Sequence, residues 1–392
     1  MNADDAWKEF CDFDDTQNAF GNMYGNGNGN GNGGFGDSAS VKNGNGLNYS
    51  NSQEECVIPE CSPIYISTKT KIGYLNQSIP LEDMFWAIDV LPSYSIPVVG
   101  IVKKEMKFKT VTQDALDVLI ERINSIPEGP YVQQNIKTHM EEHGNMQFKD
   151  VRKVSVGLCK KQMSSFRTKV KGAFFNCFAL ILRMKWEGQF KEMHVKVFNT
   201  GKLEIPGIPG KNTDAFLECV LSSLVDCLKP ISDKLGLTSP IDYRRDYNET
   251  VLTNSNFTAN YLVDRERLSH ILRQHYRILT TYDPCSYPGV QSKFYYVEDR
   301  AIQDGRPLTD EEISMDAPFI VVPVMIFRTG SVLIVGKFDD DVLMWVYEFI
   351  KGVLRDQYHN IQTGLLVEDD NRAENIIPRK SKKRFINVTI NA

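Results

Sequence analysis

Bond-breaking chemistry needs a nucleophile, a base or a metal-ligand set at defined spacing, and this 392-residue chain presents no such set. Gly201–Gly210 is glycine-rich but lacks the Gly-Lys-Ser/Thr ending that cradles phosphate. No Gly-x-Ser-x-Gly elbow occurs. Glu141, Glu142 and His143 adjoin, with no second His or carboxylate at ligand spacing, and read as an exposed helix end. Among eight cysteines there is no Cys-x-x-Cys pair, Cys56 and Cys61 being nearest. Free buried thiols in a reducing compartment are therefore expected rather than zinc. The expectation is a non-catalytic protein without cofactor or metal.

What remains is contact chemistry. Lys69, Lys71, Lys103 and Lys104 could line a phosphate path, although lysine runs are most often a solvated face. Arg379-Lys380-Ser381-Lys382-Lys383-Arg384 suits nuclear import or added phosphate contacts, and equally a plain soluble tail. Trp7, Phe10, Phe13 and Phe20 stand among acids, the pattern of a short interaction motif or of an incidental tail. Phe198 and Phe327 each precede a Thr-Gly turn; a Phe there is by itself more often core. Asn256 alone is more often a turn or capping residue.

The elements that position these residues are written twice. FNTGKLEIPG at Phe198–Gly207 recurs as FRTGSVLIVG at Phe327–Gly336, always 129 positions on. Each copy reads as a strand end, a tight turn and a second strand. Each is followed by an apolar stripe at helical spacing: Leu217, Val220, Leu221, Leu224 and Leu228, then Val342, Val346, Phe349 and Val353. Asn212 or Thr213 can cap the first helix, and Asp339–Asp341 bring negative charge to the start of the second.

Upstream, Ile64–Thr68 reads as a strand, Leu81–Leu91 as a helix and Val98–Val102 as a strand. Within an insertion of about 103–172, Gln113–Ile126 and Gln134–Glu142 look helical. Phe174–Trp186 and Phe190–Phe198 follow as strands around Glu187-Gly188. Pro230–Asp246 is a connector. Then come a strand (Asn254–Tyr261), a helix (Asp264–His275), a loop (Thr281–Gly289), a strand (Val290–Val297), an insertion (Glu298–Pro318) and a strand (Phe319–Phe327). Tyr74-Leu75 and Leu81 match Tyr261-Leu262 and Leu268 at a spacing of 187. The insertion falls at the same place in both copies, as expected of a surface connection. Two such copies predict a pseudo-symmetric α+β domain with one continuous antiparallel sheet.

The boundaries are a disordered, acidic, Gly/Asn-rich tail (1–60), a first repeat (62–232), a second repeat (250–362) and a basic C-terminal tail (363–392). The net charge of −5 divides into −8 over residues 1–60 and +3 over the rest. A body this near neutral is not a strong polyanion binder by charge alone. No basic, apolar leader opens the chain, and no apolar run reaches membrane length. A soluble intracellular protein is expected.

Several motifs, in order, resemble the TATA-box-binding protein family. Thr281-Tyr282-Asp283-Pro284-Cys285-Ser286-Tyr287-Pro288-Gly289 resembles its second-repeat Ser-Tyr-Glu-Pro-Glu-Leu-Phe-Pro-Gly. Ile326-Phe327-Arg328-Thr329-Gly330 resembles Ile-Phe-Val-Ser-Gly. Val197-Phe198-Asn199-Thr200-Gly201-Lys202 resembles Ile-Phe-Ser-Ser-Gly-Lys. The resemblance spans about residues 62–103, 174–232 and 250–360. It implies a saddle: a curved sheet whose concave face meets DNA, with helices on the convex face. It implies aromatic wedges in the minor groove of A·T-rich DNA, here Ile96, Phe198, Tyr287 and Phe327. It implies Asn256 as a minor-groove hydrogen-bonding residue, with Lys69 and Lys202 as further DNA contacts. The first-half Asn is replaced, its match falling near Lys69 or on Ile64. The Thr before the last Gly of each unit becomes Pro206 and Val335, and a groove-facing Val becomes Glu204.

The resemblance thus implies a divergent initiation factor that binds double-stranded promoter DNA. It would recruit general transcription factors or RNA polymerase subunits. It would work in the nucleus, or in a cytoplasmic factory or virion if the lineage is a large DNA virus with its own transcription apparatus. The alternative is an interaction scaffold of the same fold that has lost DNA binding, which Glu204 and Pro206 favour.

Overall fold

The computed structural model describes residues 57–92, 97–164, 174–237, 239–298 and 300–365. The acidic tail up to residue 56, Ile96 and the basic cluster Arg379–Arg384 lie outside these residues. The fold is α+β, mostly antiparallel sheet with helices. The first half runs β1 (Tyr65–Tyr74), α1 (Leu81–Ala87), β2 (Gly100–Thr110), α2 (Gln113–Asn124), β3 (Val132–Met140), β4 (Lys149–Gly157), α3 (Lys160–Ser164), β5 (Cys177–Trp186), β6 (Gln189–Phe198), β7 (Lys202–Pro209) and α4 (Thr213–Lys234). The second runs β8 (Glu249–Thr258), β9 (Tyr261–Val263), α5 (Arg265–Gln274), β10 (Leu279–Thr281), β11 (Val290–Val297), α6 (Asp310–Ser314), β12 (Phe319–Ile326), β13 (Ser331–Gly336), α7 (Asp340–Asp356), α8 (Tyr358–Ile361) and β14 (Gln362–Leu365). Among the described residues no helix is long and apolar enough to cross a membrane.

Twelve strands form one sheet in the order β10-β11-β12-β13-β8-β1-β7-β6-β5-β2-β4-β3. Outward from the central pair, β8-β13-β12-β11-β10 on one side meets β1-β7-β6-β5-β2 on the other, and β4-β3 extend the latter. The central register maps onto itself under a shift of 184: Tyr65 pairs with Asn256 and Ile72 with Glu249, Ile66 with Ser255 and Lys71 with Thr250, and Lys69 faces Thr253 at the middle. The irregularities follow the same rule, one after Ile66 and one after Thr70. The extra residues there are Ser67 and Val251, again 184 apart.

The two Thr-Gly turns are built alike. The N–H of Gly201 donates to Phe198 at 2.9 Å and that of Gly330 to Phe327 at 3.0 Å. The glycines have φ of 80° and 77°, which favours a residue without Cβ. A Cβ would stand 2.4 Å from the Gln77 carbonyl oxygen in one turn and 2.3 Å from that of Tyr261 in the other. Leu75 N–H meets Gly201 O and Ala259 N–H meets Gly330 O, both at 2.8 Å.

These contacts correct the expected spacing of 187 to 184. Leu81 starts α1 as Arg265 starts α5, and the counterpart of Leu268 is Met84, both fully buried. A slip of three residues is nearly one helical turn, so the apolar periodicity alone could not exclude it. The insertions are also at different places. Residues 111–176 separate β2 from β5, whereas 298–318 separate β11 from β12. In the first half the second position holds only the two-residue turn Glu187-Gly188, with φ of 48° and 79°.

Other elements shift from their expected spans. β2 continues to Thr110 because Met106 and Phe108 alternate into the core. Gln134–Glu142 is not helical: β3 pairs with β4 along its length. Its only well-spaced apolar residues, Ile136 and Met140, give no stripe to bury, and strand pairing overrides the local preference. α1 ends at Ala87, where Lys104 Nζ donates to the carbonyls of Phe85 at 2.7 Å and Ile88 at 2.6 Å. Pro230 lies inside α4 rather than ending it. Asn212 precedes α4 without a side-chain cap, while Thr213 Oγ1 donates to Pro209 O at 2.9 Å. Asp339 makes no cap bond either.

Two apolar clusters form beneath the helices, one from each half. The leading segments cross over. Ile58, Cys61, Ile64 and Ile66 pack on the second-half cluster, and Tyr347 donates to Ser62 O at 3.1 Å. Ile241 and Tyr243, which lead into β8, belong to the first-half cluster.

Candidate functional site

Alternation along the strands leaves one face of the sheet turned away from these clusters. In the second half Phe257, Val332 and Ile334 point to the core. Leu252, Met325 and Val335 therefore point to the other face, and Tyr287, Phe327 and Leu333 pack on them as a separate apolar cluster. Register places Asn256 beside Leu333 and Leu333 beside Met325 on that face.

Tyr287 and Phe327 come together there, ring centroids 5.9 Å apart and tilted by 57°. Tyr287 Oη stands 3.5 Å from Met325 Sδ. Gly289 is what lets both rings approach the backbone, because a Cβ would lie 3.0 Å from Tyr287 and 3.1 Å from Phe327. Asp283 shapes the loop that presents Tyr287. Its carboxylate accepts from the Cys285 N–H at 3.0 Å and from the Ser286 hydroxyl, and its carbonyl accepts from the Tyr287 N–H at 2.9 Å. These bonds hold the Asp283 carboxyl below its ordinary range. Arg265 donates to Pro288 O on the far side of the loop.

In the first half Phe198 is half-buried at the matching position, with Lys202 Nζ 5.5 Å from its ring centroid. Its surroundings differ in kind. Shifted by 129, Met325 becomes Lys196 and Leu333 becomes Glu204. These two form an ion pair at 2.5 Å with Glu204 only 8 % exposed. An ionic floor replaces an apolar one. The start of α3 also reaches this face, the Lys160 N–H donating to Glu192 Oε2 at 2.7 Å.

The counterpart of Asn256 is Ile72, 184 residues earlier and buried, rather than Lys69 or Ile64. Lys69 stands opposite Ile208 of the first-half cluster, and directly paired residues share a face. It therefore lies on the helix side, as does Lys71, which reaches Asn248 at 2.9 Å and Asp214 at 3.5 Å.

Two residues of this face were not singled out from the sequence. Val290 pairs with Ile326 as Phe178 pairs with Val197, so three residues earlier Phe175 occupies the place of Tyr287. Phe175 is 47 % exposed, with Lys107 Nζ 4.1 Å from its ring centroid. A shift of 112 between the strands β5 and β11 would have found it. Asn254, two residues before Asn256, is 7 % exposed and its Oδ1 has no hydrogen-bond partner.

No family model matches the chain, and no curated protein matches it. Thirteen chains of solved structures are similar to it. One is described as Methanococcus jannaschii TBP, with a TM-score of 0.35 and 11% identity, covering 75% of this chain and 99% of that one.

Proposed function

We propose that the protein is a non-catalytic, TATA-box-binding-protein-like initiation factor that holds A·T-rich DNA by its minor groove. The sheet would be a duplicated saddle meeting DNA on the face away from the two apolar clusters. The observation that carries the reading is the Tyr287–Phe327 pair: two rings side by side over an apolar floor, on the face turned away from the two apolar clusters. Side chains of this kind can enter a base step, where apolar contact offsets an unstacking cost of a few kcal/mol. Asn256 and Asn254 lie on the same face nearer the middle, and amide donors there suit the acceptors of the A·T minor groove. The opposite, helix-bearing side would recruit polymerase subunits or general factors; Met344 and Trp345 of α7 are exposed there at 45% and 54%.

Binding to an A·T-rich duplex measured against a G·C-rich one tests this. The A·T-rich duplex is expected to bind more tightly and to bend. Phe327→Ala should weaken binding by tenfold or more and reduce the bend at unchanged melting temperature. Equal, weak binding of both duplexes by the parent would sink the reading. The interaction scaffold would then take its place, favoured by the part-buried Lys196–Glu204 pair and by the seating of α3 on Glu192.

A further inference from the structure

Beyond β2 the sheet carries two strands that have no counterpart in the second half, β4 and β3. Their helix-free face is basic. Lys107 and Lys109 of β2, Lys137 of β3 and Lys149 of β4 surround a hollow of about 270 Å³ floored by Val151 and walled by Phe175. No carboxylate lines it. Among the described residues none of these four lysines makes an ion pair. In contrast, the next lysines along the same face, Lys103 and Lys153, are both held by Glu105 at 2.9 Å. Four uncompensated ammonium groups at one place cost self-repulsion, which an anionic ligand relieves.

We propose that this ribbon is a phosphate clamp for the DNA backbone just outside the bent site, on the first-half side. The proposal rests on the reading above. The strand order sets the geometry. Phe198 is on β6, and β2, β4 and β3 lie two, three and four strands further out, or roughly 10–20 Å at about 4.8 Å per strand. DNA gripped at Phe175 and Phe198 would therefore run its backbone over the lysines. Phe175 joins the two regions, since it occupies the place of Tyr287 and also walls the hollow. The clamp supplies affinity where the first half has exchanged its apolar floor for an ion pair.

Lysines on phosphates act through counterion release, each contact adding about 0.9 to the slope of log K against log salt. The test compares the full chain with the variant Lys107→Gln, Lys109→Gln, Lys137→Gln, Lys149→Gln. Two duplexes are used, an A·T-rich core alone and the same core with about ten flanking base pairs on each side, roughly one helical turn. The parent should gain affinity from the flanks. The variant should lose that gain, and its salt slope should fall by about 2 or more. The pair Lys137→Gln, Lys149→Gln should lose about half as much, which guards against a folding defect in the fourfold variant. Lys211→Gln with Lys229→Gln, away from the ribbon, should leave the gain intact. A fourfold variant with the parent's slope and flank gain would overturn the clamp while leaving the proposed function standing. A parent that binds neither duplex would overturn both.

Discussion

At the residue scale, the two halves of the face are the same positions occupied by different chemistry. Phe175 and Phe198 should act as a wedge pair beside Tyr287 and Phe327. Phe175→Ala is therefore expected to weaken A·T-rich DNA binding by about three- to tenfold with little change in melting temperature, because Phe175 is about half exposed and lies outside the apolar clusters. Unchanged affinity and bend would remove it from the site. Glu105 gives a prediction about stability. Burial alone would raise its pKa, but Lys103 and Lys153 outweigh that and lower it from 4.5 to about 2. A carboxyl depressed by folding stabilises above its unfolded pKa and loses that contribution as the pH falls. Stability should therefore drop between about pH 4.5 and 2. Glu105→Gln should shrink that drop and cost about 1–3 kcal/mol at pH 7, since two lysines lose their partner. Urea unfolding across the pH range would read both effects.

At the element scale, the Thr-Gly turns were legible because their backbone needs leave few alternatives. A glycine at positive φ, packed on a carbonyl, is a requirement that sequence displays directly. Gly201→Ala and Gly330→Ala should each cost more than about 2 kcal/mol, from left-handed strain plus displacement of the facing carbonyl. Similar losses are expected from both, measured by chemical denaturation, because an added Cβ would stand 2.4 and 2.3 Å from the facing carbonyl oxygens. Elements held by tertiary pairing were harder to read. β3 has a sequence without strong local preference and is a strand because β4 lies beside it. The same limit affects how the loops of the two halves are matched. In the sequence Ile96 stands before Pro97 and an apolar run, as Tyr287 stands before Pro288 and Val290–Val297, and Ile96 lies outside the described residues. Only the strand order β6-β5-β2 against β12-β11-β10 shows that β11 corresponds to β5, and hence Tyr287 to Phe175. Asn256 shares a face with Leu333 and Met325, whereas Lys69 lies on the opposite, helix side. A bulge beside it changes the alternation on which counting depends.

At the scale of the whole molecule, the α+β class and the continuous antiparallel sheet through β1 and β8 follow from the repeated unit, and the separate two-stranded β9–β14 sheet and the exchange of leading segments do not. Each half lends a stretch of chain to the other's core: Ile64 and Ile66 to the second, Ile241 and Tyr243 to the first. The sheet is also continuous through β1 and β8. Neither half should be stable alone. Fragments 57–237 and 239–365 are expected to be unfolded separately by near-ultraviolet circular dichroism and to recover the native signal on mixing. Two independently folded fragments would show that the exchanged segments contribute little.

The same exchange sets a timetable for synthesis. Ile66 leaves the ribosome early, but the cluster it joins closes with Ile361, some 295 residues later. At roughly 5–20 residues per second that is a wait of about 15–60 s. Until Thr258 is made, 192 residues after Ile66, β1 has no complete β8 beside it, so one edge of the first half's sheet stays open to other chains. The nascent protein is thus most vulnerable to mispairing at β1 before β8 is made, and slowing the ribosome between the two strands would prolong the hazard.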